Sequence, residues 1–331
     1  MVKRALLVGI NYRNTDSELY GCINDVNNLQ KFLQSQLGYT NFIILTDDTP
    51  VKPTKANILN AINSLVRNLR AGDEVWFQFS GHGNLEYDRS RDEENGKDTC
   101  LAPLDYKRMG TSSDDTLRSI LVRKIPSKAK LYVILDACHS GTGCDLRYKY
   151  DDSSYITNEN VKSPTYVQSE WSLRQTSYEF KKYPRTNGEV YCISGCQDHQ
   201  KSADTFIESE QMYGGVLTST ILSLFRSNDI QKYKWKHLLK DICCCEKNNG
   251  YDQVTAITSG KPLDMESPVF SFPLNNDIKP SSIKPSIPSS SNKNKKKYVQ
   301  FANAILNANS NANTNTVNKL NNNRMKKMIF T

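Results

Sequence analysis

The chain has 331 residues, of which 37 % are hydrophobic, 9 % aromatic and 24 % charged. These are ordinary globular values that exclude collagen-like, wholly disordered and membrane-spanning classes and leave room for one large domain or two small ones. The formal net charge is +8, yet residues 1–275 carry 33 basic against 34 acidic side chains while residues 276–331 carry ten against one. A nucleic-acid-binding reading of the charge therefore weakens, because the excess sits in a segment without aromatic-interleaved or RNA-binding motifs.

After the first four residues, the apolar run 5–10 is too short for a signal-peptide core and suits a strand. Ile23, Val26, Leu29, Phe32 and Leu33 then fall at helical spacing. A strand follows at 42–45. Ile58, Leu59, Ile62, Leu65, Val66 and Leu69 mark a second amphipathic helix after Thr54, a residue able to cap it. Further strands are predicted over 74–79 and 131–135. All four strands are near-continuous apolar runs of the kind buried on both faces, and the β-α-β-α-β rhythm predicts an α/β fold with an open parallel sheet and helices on both sides. Residues 146–188 are polar and rich in Tyr, Ser and Lys, which reads as a long surface connection. A fainter block follows, with a strand at 190–194, a helix near 216–225 and a last strand near 269–272. From Asn276 the composition shifts to Asn, Lys, Ser and Pro, too little apolar surface to offset the entropy of ordering, so 276–331 is expected to be a disordered basic tail.

Nine cysteines are present, an odd number without a repeated ligand spacing, and Cys243, Cys244 and Cys245 are consecutive. That is poor disulfide geometry, so a reducing, cytoplasmic compartment is expected, with most cysteines acting as small buried hydrophobes. Lys293, Lys295, Lys296 and Lys297 form a run that suits either nuclear import or an ordinary solvated tail. No apolar stretch of 18 residues occurs, and no membrane association is expected.

In an open parallel sheet functional residues lie just past the carboxyl ends of strands. The strand 74–79 runs into Ser80-Gly81-His82-Gly83, and the strand 131–135 runs into Asp136-Ala137-Cys138-His139-Ser140-Gly141. If these strands are neighbours, His82 and Cys138 share one rim. A thiol beside an imidazole is the minimum for covalent acyl transfer, with the base making a thiolate and the imidazolium protonating the leaving amine. Glycines on both sides of His82 let backbone approach a substrate closely, and N–H groups there and at Cys138 suit an oxyanion.

Five ordered motifs carry a family resemblance: Ala5-Leu-Leu-Val-Gly-Ile-Asn-Tyr12, Gly21-Cys-Ile-Asn-Asp25, Gly72-Asp-Glu-Val-Trp-Phe-Gln-Phe-Ser-Gly-His-Gly83, Asp136-Ala-Cys-His-Ser-Gly141, and Ile193-Ser-Gly-Cys-Gln-Asp198 with Ser202-Ala-Asp204. Over most of 4–273 the chain resembles the metacaspases, caspase-like cysteine peptidases, closest to their type I arrangement without an N-terminal extension. The resemblance implies a caspase-like three-layer α/β/α sandwich around a mostly parallel sheet. It implies a peptidase domain over 1–275, divided into a p20-like part (1–145), a connecting loop (146–187) and a p10-like part (188–275), and it implies a monomer acting on proteins or peptides. Cys138 would be the nucleophile and His82, rather than His139, the general base and acid, with the Gly83 and Cys138 N–H groups as oxyanion hole. The rival reading is a catalytically silent caspase-like scaffold, which would require a lost nucleophile or base.

By the same similarity Asp25, Asp136 and nearby Ser80 line the pocket for the residue before the cut bond. Two carboxylates there favour Arg or Lys and penalise Asp; Asp25 as a cap of its own following helix is the alternative role. Asp98, Asp114, Asp115 and Asp145 resemble the family's calcium site with a one-residue offset in the His-side loop. Calcium prefers such hard oxygen ligands, whereas the neighbouring Asp92, Glu93 and Glu94 read as solvated surface acids. Arg147, Lys149, Lys162, Arg174, Lys181, Lys182 and Arg185 in the connection are tethered near the site at high effective concentration, so calcium-dependent self-cleavage is expected there.

Overall fold

The computed structural model describes residues 1–88, 97–138, 143–152, 175–180, 182–195, 204–207, 212–251 and 255–272. In chain order the elements are β1 (Lys3–Gly9), α1 (Cys22–Leu37), β2 (Asn41–Thr46), α2 (Lys55–Val66), β3 (Glu74–Ser80), β4 (Gly83–Tyr87), β5 (Lys97–Leu101), α3 (Tyr106–Met109), β6 (Ser112–Ser113), α4 (Asp114–Ile120), β7 (Lys130–Asp136), β8 (Tyr148–Asp152), β9 (Gln175–Glu179), β10 (Glu189–Ser194), β11 (Asp204–Ile207), β12 (Met212–Gly215), α5 (Val216–Ser227), α6 (Trp235–Asn248) and β13 (Ala256–Ser259).

Among the described residues the main sheet has the order β2-β1-β3-β7-β10-β13-β8-β9. The pairs from β2 to β10 are parallel and the remaining three pairs antiparallel. Successive residues of a strand point to opposite faces, and β1 shows the result. Ala5 and Leu7 join one apolar cluster with Val26, Leu29 and Phe32 of α1, Ile221 and Phe225 of α5, and Trp235 and Leu238 of α6. Leu6 and Val8 join another with Ile58, Ile62 and Leu65 of α2 and Leu117 of α4. A sheet with helices on both faces is the three-layer α/β/α architecture expected from the sequence. Thr54 caps α2 as anticipated, its hydroxyl accepting from the Asn57 N–H at 3.3 Å.

Three parts of the chain differ from the sequence reading. Inside the expected surface connection, 148–152 and 175–179 form β8 and β9 of the main sheet. Tyr148 and Tyr150 are buried while Lys149 pairs with Asp151 at 3.6 Å, a period-two pattern that a count of polar residues hides. The expected strand near 269–272 is absent: Val269 and Phe270 are buried, but they follow Pro268, which contributes only an isolated bridge to Lys234, since proline has no N–H for a ladder. The strand completing that part of the sheet is instead β13, every residue of which is buried. Helix α6 was also not anticipated, although Trp235, Leu238, Leu239, Ile242 and Cys243 form its buried stripe at helical spacing. The acidic loop 92–94, His139, the end of the fifth motif and the tail 276–331 lie outside the described residues. No helix among the described residues is long and apolar enough to cross a membrane.

Candidate active site at the carboxyl ends of β3 and β7

Strands β3 and β7 are hydrogen-bonded neighbours in a register that pairs Ser80 with Asp136, so the segments after both strands start side by side. The Gly81 N–H donates to the Asp136 carbonyl at 3.3 Å. A Cβ on Gly83 would overlap the Cys138 carbonyl oxygen and lie 3.0 Å from its carbon and 3.2 Å from the Cys138 nitrogen. The His82–Gly83 backbone therefore rests directly against Cys138, and only glycine permits that approach. The two residues singled out from separate motifs share one rim, with Cys138 8 % exposed.

His82 is held by its backbone and its ring. Its N–H donates to Tyr12 Oη at 3.0 Å, its carbonyl accepts from the Ala102 N–H at 3.0 Å, and Tyr12 Oη donates to the Ala102 carbonyl at 2.6 Å. Tyr12 itself is 1 % exposed, and its ring centroid lies 4.7 Å from that of the imidazole. The ring nitrogen Nε2 is 2.8 Å from the Ser17 carbonyl oxygen. A carbonyl can only accept, so that nitrogen carries the proton and Nδ1 is the basic nitrogen of the neutral ring. Burial pushes the imidazole below its usual range, partly opposed by the bond to Ser17. Neither Tyr12 nor the Ser17 carbonyl was assigned a role from the sequence: a tyrosine ends a motif with no sign of its partner 70 residues on, and a backbone carbonyl leaves no sequence signal.

Asp25 stands in the first turn of α1, Asp136 ends β7 and Ser80 ends β3. All three are buried, and Ser80 Oγ accepts from Gln78 Nε2 at 2.5 Å. The carboxylates of Asp25 and Asp136 converge on the amino end of α5. The Gly215 N–H donates to both oxygens of Asp25 at 3.0 and 3.1 Å, and the Thr218 N–H donates to Asp136 Oδ2 at 2.8 Å. The Asp25 carboxylate thus reaches the start of a helix 190 residues away, while the cap position of its own helix α1 is Gly21.

The second acidic group spans three segments. Asp98 on β5, Asp114 at the start of α4 and Asp145 after β7 are buried, and Asp115 is half-buried. Asp114 accepts from the Thr99 and Asp115 N–H groups at 2.9 Å. Burial first, and then the neighbouring charges of Asp145 and Asp98, push its carboxyl up to about 9. Arg118, also buried, donates to the Asp145 carbonyl and to the Pro184 carbonyl at 3.1 Å, its guanidinium lying 5.1 Å from the Tyr183 ring centroid. Sequence reasoning had not singled it out. The donor set is all hard oxygen, which suits a divalent cation. The side chains repel one another, and among the described residues no three acidic, histidine or cysteine groups converge as a ready-made cage.

Comparison with known proteins gives the family. Residues 3–147 match the family model described as metacaspase, peptidase C14 domain. A metacaspase-1 from Meyerozyma guilliermondii is 32 % identical over 297 residues, covering 80 % of this chain and 70 % of the relative. A metacaspase-1B from Aspergillus oryzae is 34 % identical over 292 residues, covering 79 % and 68 %. A solved protein from Geobacter sulfurreducens covers 82 % of this chain and 99 % of its own with a TM-score of 0.54 at 21 % identity, a likeness of fold alone. With relatives of 32 % and 34 % identity that each cover about four-fifths of it, the chain belongs to the metacaspase family of cysteine peptidases.

Proposed function

We propose that the chain is a calcium-dependent endopeptidase that cuts after Arg or Lys, with Cys138 as nucleophile and His82 as general base and acid. The observation that carries the assignment is the contact of the His82–Gly83 backbone with Cys138 at the ends of two paired parallel strands. In the first step His82 Nδ1 takes the Sγ proton while the thiolate adds to the substrate carbonyl carbon. The oxyanion is met by the N–H groups of Gly83 and Cys138. The imidazolium then gives its proton to the leaving amine as the C–N bond breaks, leaving a thioester on Cys138. Water, deprotonated by His82, adds to that thioester and releases the acid and the thiol. Nε2–H stays on the Ser17 carbonyl throughout, which keeps the ring in the tautomer and orientation both steps need.

Basic specificity is supported by Asp25 and Asp136, two buried carboxylates beside Ser80 on that same rim. A guanidinium offers them opposite charge and directed donors, and an aspartate offers repulsion. Calcium is supported by the donor chemistry and mutual repulsion of Asp98, Asp114 and Asp145, with Asp115 next in the chain. When bound it would supply positive charge to acidic segments, one of which leads on from Cys138, a loop-ordering switch of known type. Self-cleavage in the connecting segment is narrowed by the fold. Arg147 donates to the Tyr183 carbonyl at 3.1 Å, Lys149 is paired within β8 and Arg185 donates to Tyr148 Oη at 2.8 Å. Lys182, exposed with its ammonium 4.7 Å from the Tyr183 ring centroid, and Lys162, Arg174 and Lys181, which lie outside the described residues, are the remaining candidate positions.

Turnover of matched peptides ending in Arg, Lys and Asp by wild type and Cys138→Ala, across a calcium titration, tests the whole reading. Calcium-dependent turnover of the Arg and Lys peptides that vanishes in Cys138→Ala is expected. Preference for the Asp peptide would overturn the specificity, and full turnover after chelation would overturn the calcium requirement.

A further inference from the structure

Gly215 occupies an unusual position. It ends β12 and leads into α5, and a Cβ placed on it would overlap Asp136 Oδ2, lie 2.6 Å from Asp136 Cγ and lie 2.8 Å from Asp25 Oδ2. Its backbone is thus wedged between the two carboxylates, donating to one while Thr218, one turn on, donates to the other. The carboxylates come from α1 and β7, and this helix end is bonded to both. Charge-assisted hydrogen bonds from backbone N–H groups are short and directional, and the amino end of a twelve-residue helix favours negative charge. A carboxylate has about four lone-pair directions, so these bonds fix its orientation while leaving it able to accept from a guanidinium.

We infer that Gly215 and Thr218 are positioning residues for substrate selectivity: the amino end of α5 aims Asp25 and Asp136 at a basic side chain, and Gly215 must be glycine because any Cβ would displace both. This rests on the reading that these carboxylates receive the residue before the cut bond. The groups that a Cβ meets are the ends of two side chains rather than backbone. A Gly215→Ala chain therefore relieves the overlap by turning the carboxylates aside, and the fold is kept while the pocket changes.

The test compares kcat/KM for two peptides that differ only in Arg against citrulline at the cut position, a pair of nearly equal shape that differs in charge. Wild type is expected to prefer Arg strongly, and Gly215→Ala to lower that preference by about tenfold or more, the scale set by losing a charge-assisted hydrogen bond. The loss would fall on the Arg peptide, because a methyl group that merely obstructs the pocket hinders both peptides alike. Thr218→Pro, in the first helical turn where proline is best tolerated, deletes the other donor without touching Gly215 and is expected to act in the same direction. It decides the matter if the alanine chain does not fold by thermal melting. A wild type that does not distinguish Arg from citrulline sinks the underlying pocket assignment. A wild type that does, with folded variants keeping the full preference or losing activity equally on both peptides, sinks the positioning role and leaves the pocket standing.

Discussion

Replacing Tyr12 by Phe removes one oxygen from a ring that is 1 % exposed and leaves the packing against the His82 imidazole in place. That oxygen accepts from the His82 N–H at 3.0 Å and donates to the Ala102 carbonyl at 2.6 Å. The buried Ala102 carbonyl and the half-buried His82 N–H each lose a partner, at about 1–3 kcal/mol for a fully buried group, so the variant should be less stable by about 2–6 kcal/mol in urea unfolding followed by circular dichroism. The chemistry should suffer separately. His82 loses the tie that sets the height of its backbone over Cys138, and a displacement on the order of 1 Å at a catalytic group costs roughly 100-fold in rate. A fall in kcat of about 10- to 100-fold is therefore expected on an Arg-ending peptide, with KM nearly unchanged because Asp25 and Asp136 are held by α5. A variant within about 0.5 kcal/mol and twofold of wild type, the range of an ordinary surface substitution, would refute the claim that this hydroxyl holds the base.

Two further predictions follow from charge. The His82 ring, followed by NMR in Cys138→Ala to remove coupling with the thiol, should titrate below 6.5 because burial disfavours the imidazolium; a midpoint at or above 6.5 contradicts that cause. Since the folded value is depressed, protonation favours the unfolded chain, and this contribution to stability is lost as pH falls from about 6.5 toward the folded value. Asp114→Asn removes one of the repelling buried carboxylates, so it should hold or raise the melting temperature in chelator and shrink the rise produced by calcium. A calcium response equal to that of wild type would remove Asp114 from the proposed site.

The parallel half of the sheet was legible because its strands are buried on both faces and read as near-continuous apolar runs, as β1, β3 and β7 do. Their carboxyl ends then located His82 and Cys138. The antiparallel half was not legible, because β8 carries its apolar face on two tyrosines between Lys and Asp, and β13 has Ile257 as its single large apolar side chain. Cysteines were read well as hydrophobes: among the described residues all are buried except Cys244, which is half-buried. What the sequence could not convey is partnership at a distance. Asp25 looks like any acid in a first helical turn until Gly215 is placed against it, and Tyr12 becomes a support for the base only when β1 and β3 lie side by side. Arg118 is an ordinary helical arginine in sequence, and its burial beside Asp145 comes from the meeting of α4 with the segment after β7.

The account turns on Cys138 being activated by His82 in a pocket that selects a basic residue, and covalent trapping reads this directly. A peptidyl fluoromethyl ketone ending in Arg, incubated with the calcium-loaded protein and mapped by mass spectrometry, should add once, at Cys138. The addition should slow sharply in His82→Ala, and the reagent ending in Asp should leave the protein unlabelled. Labelling at another cysteine, labelling indifferent to His82, or equal labelling by the Asp reagent would contradict it.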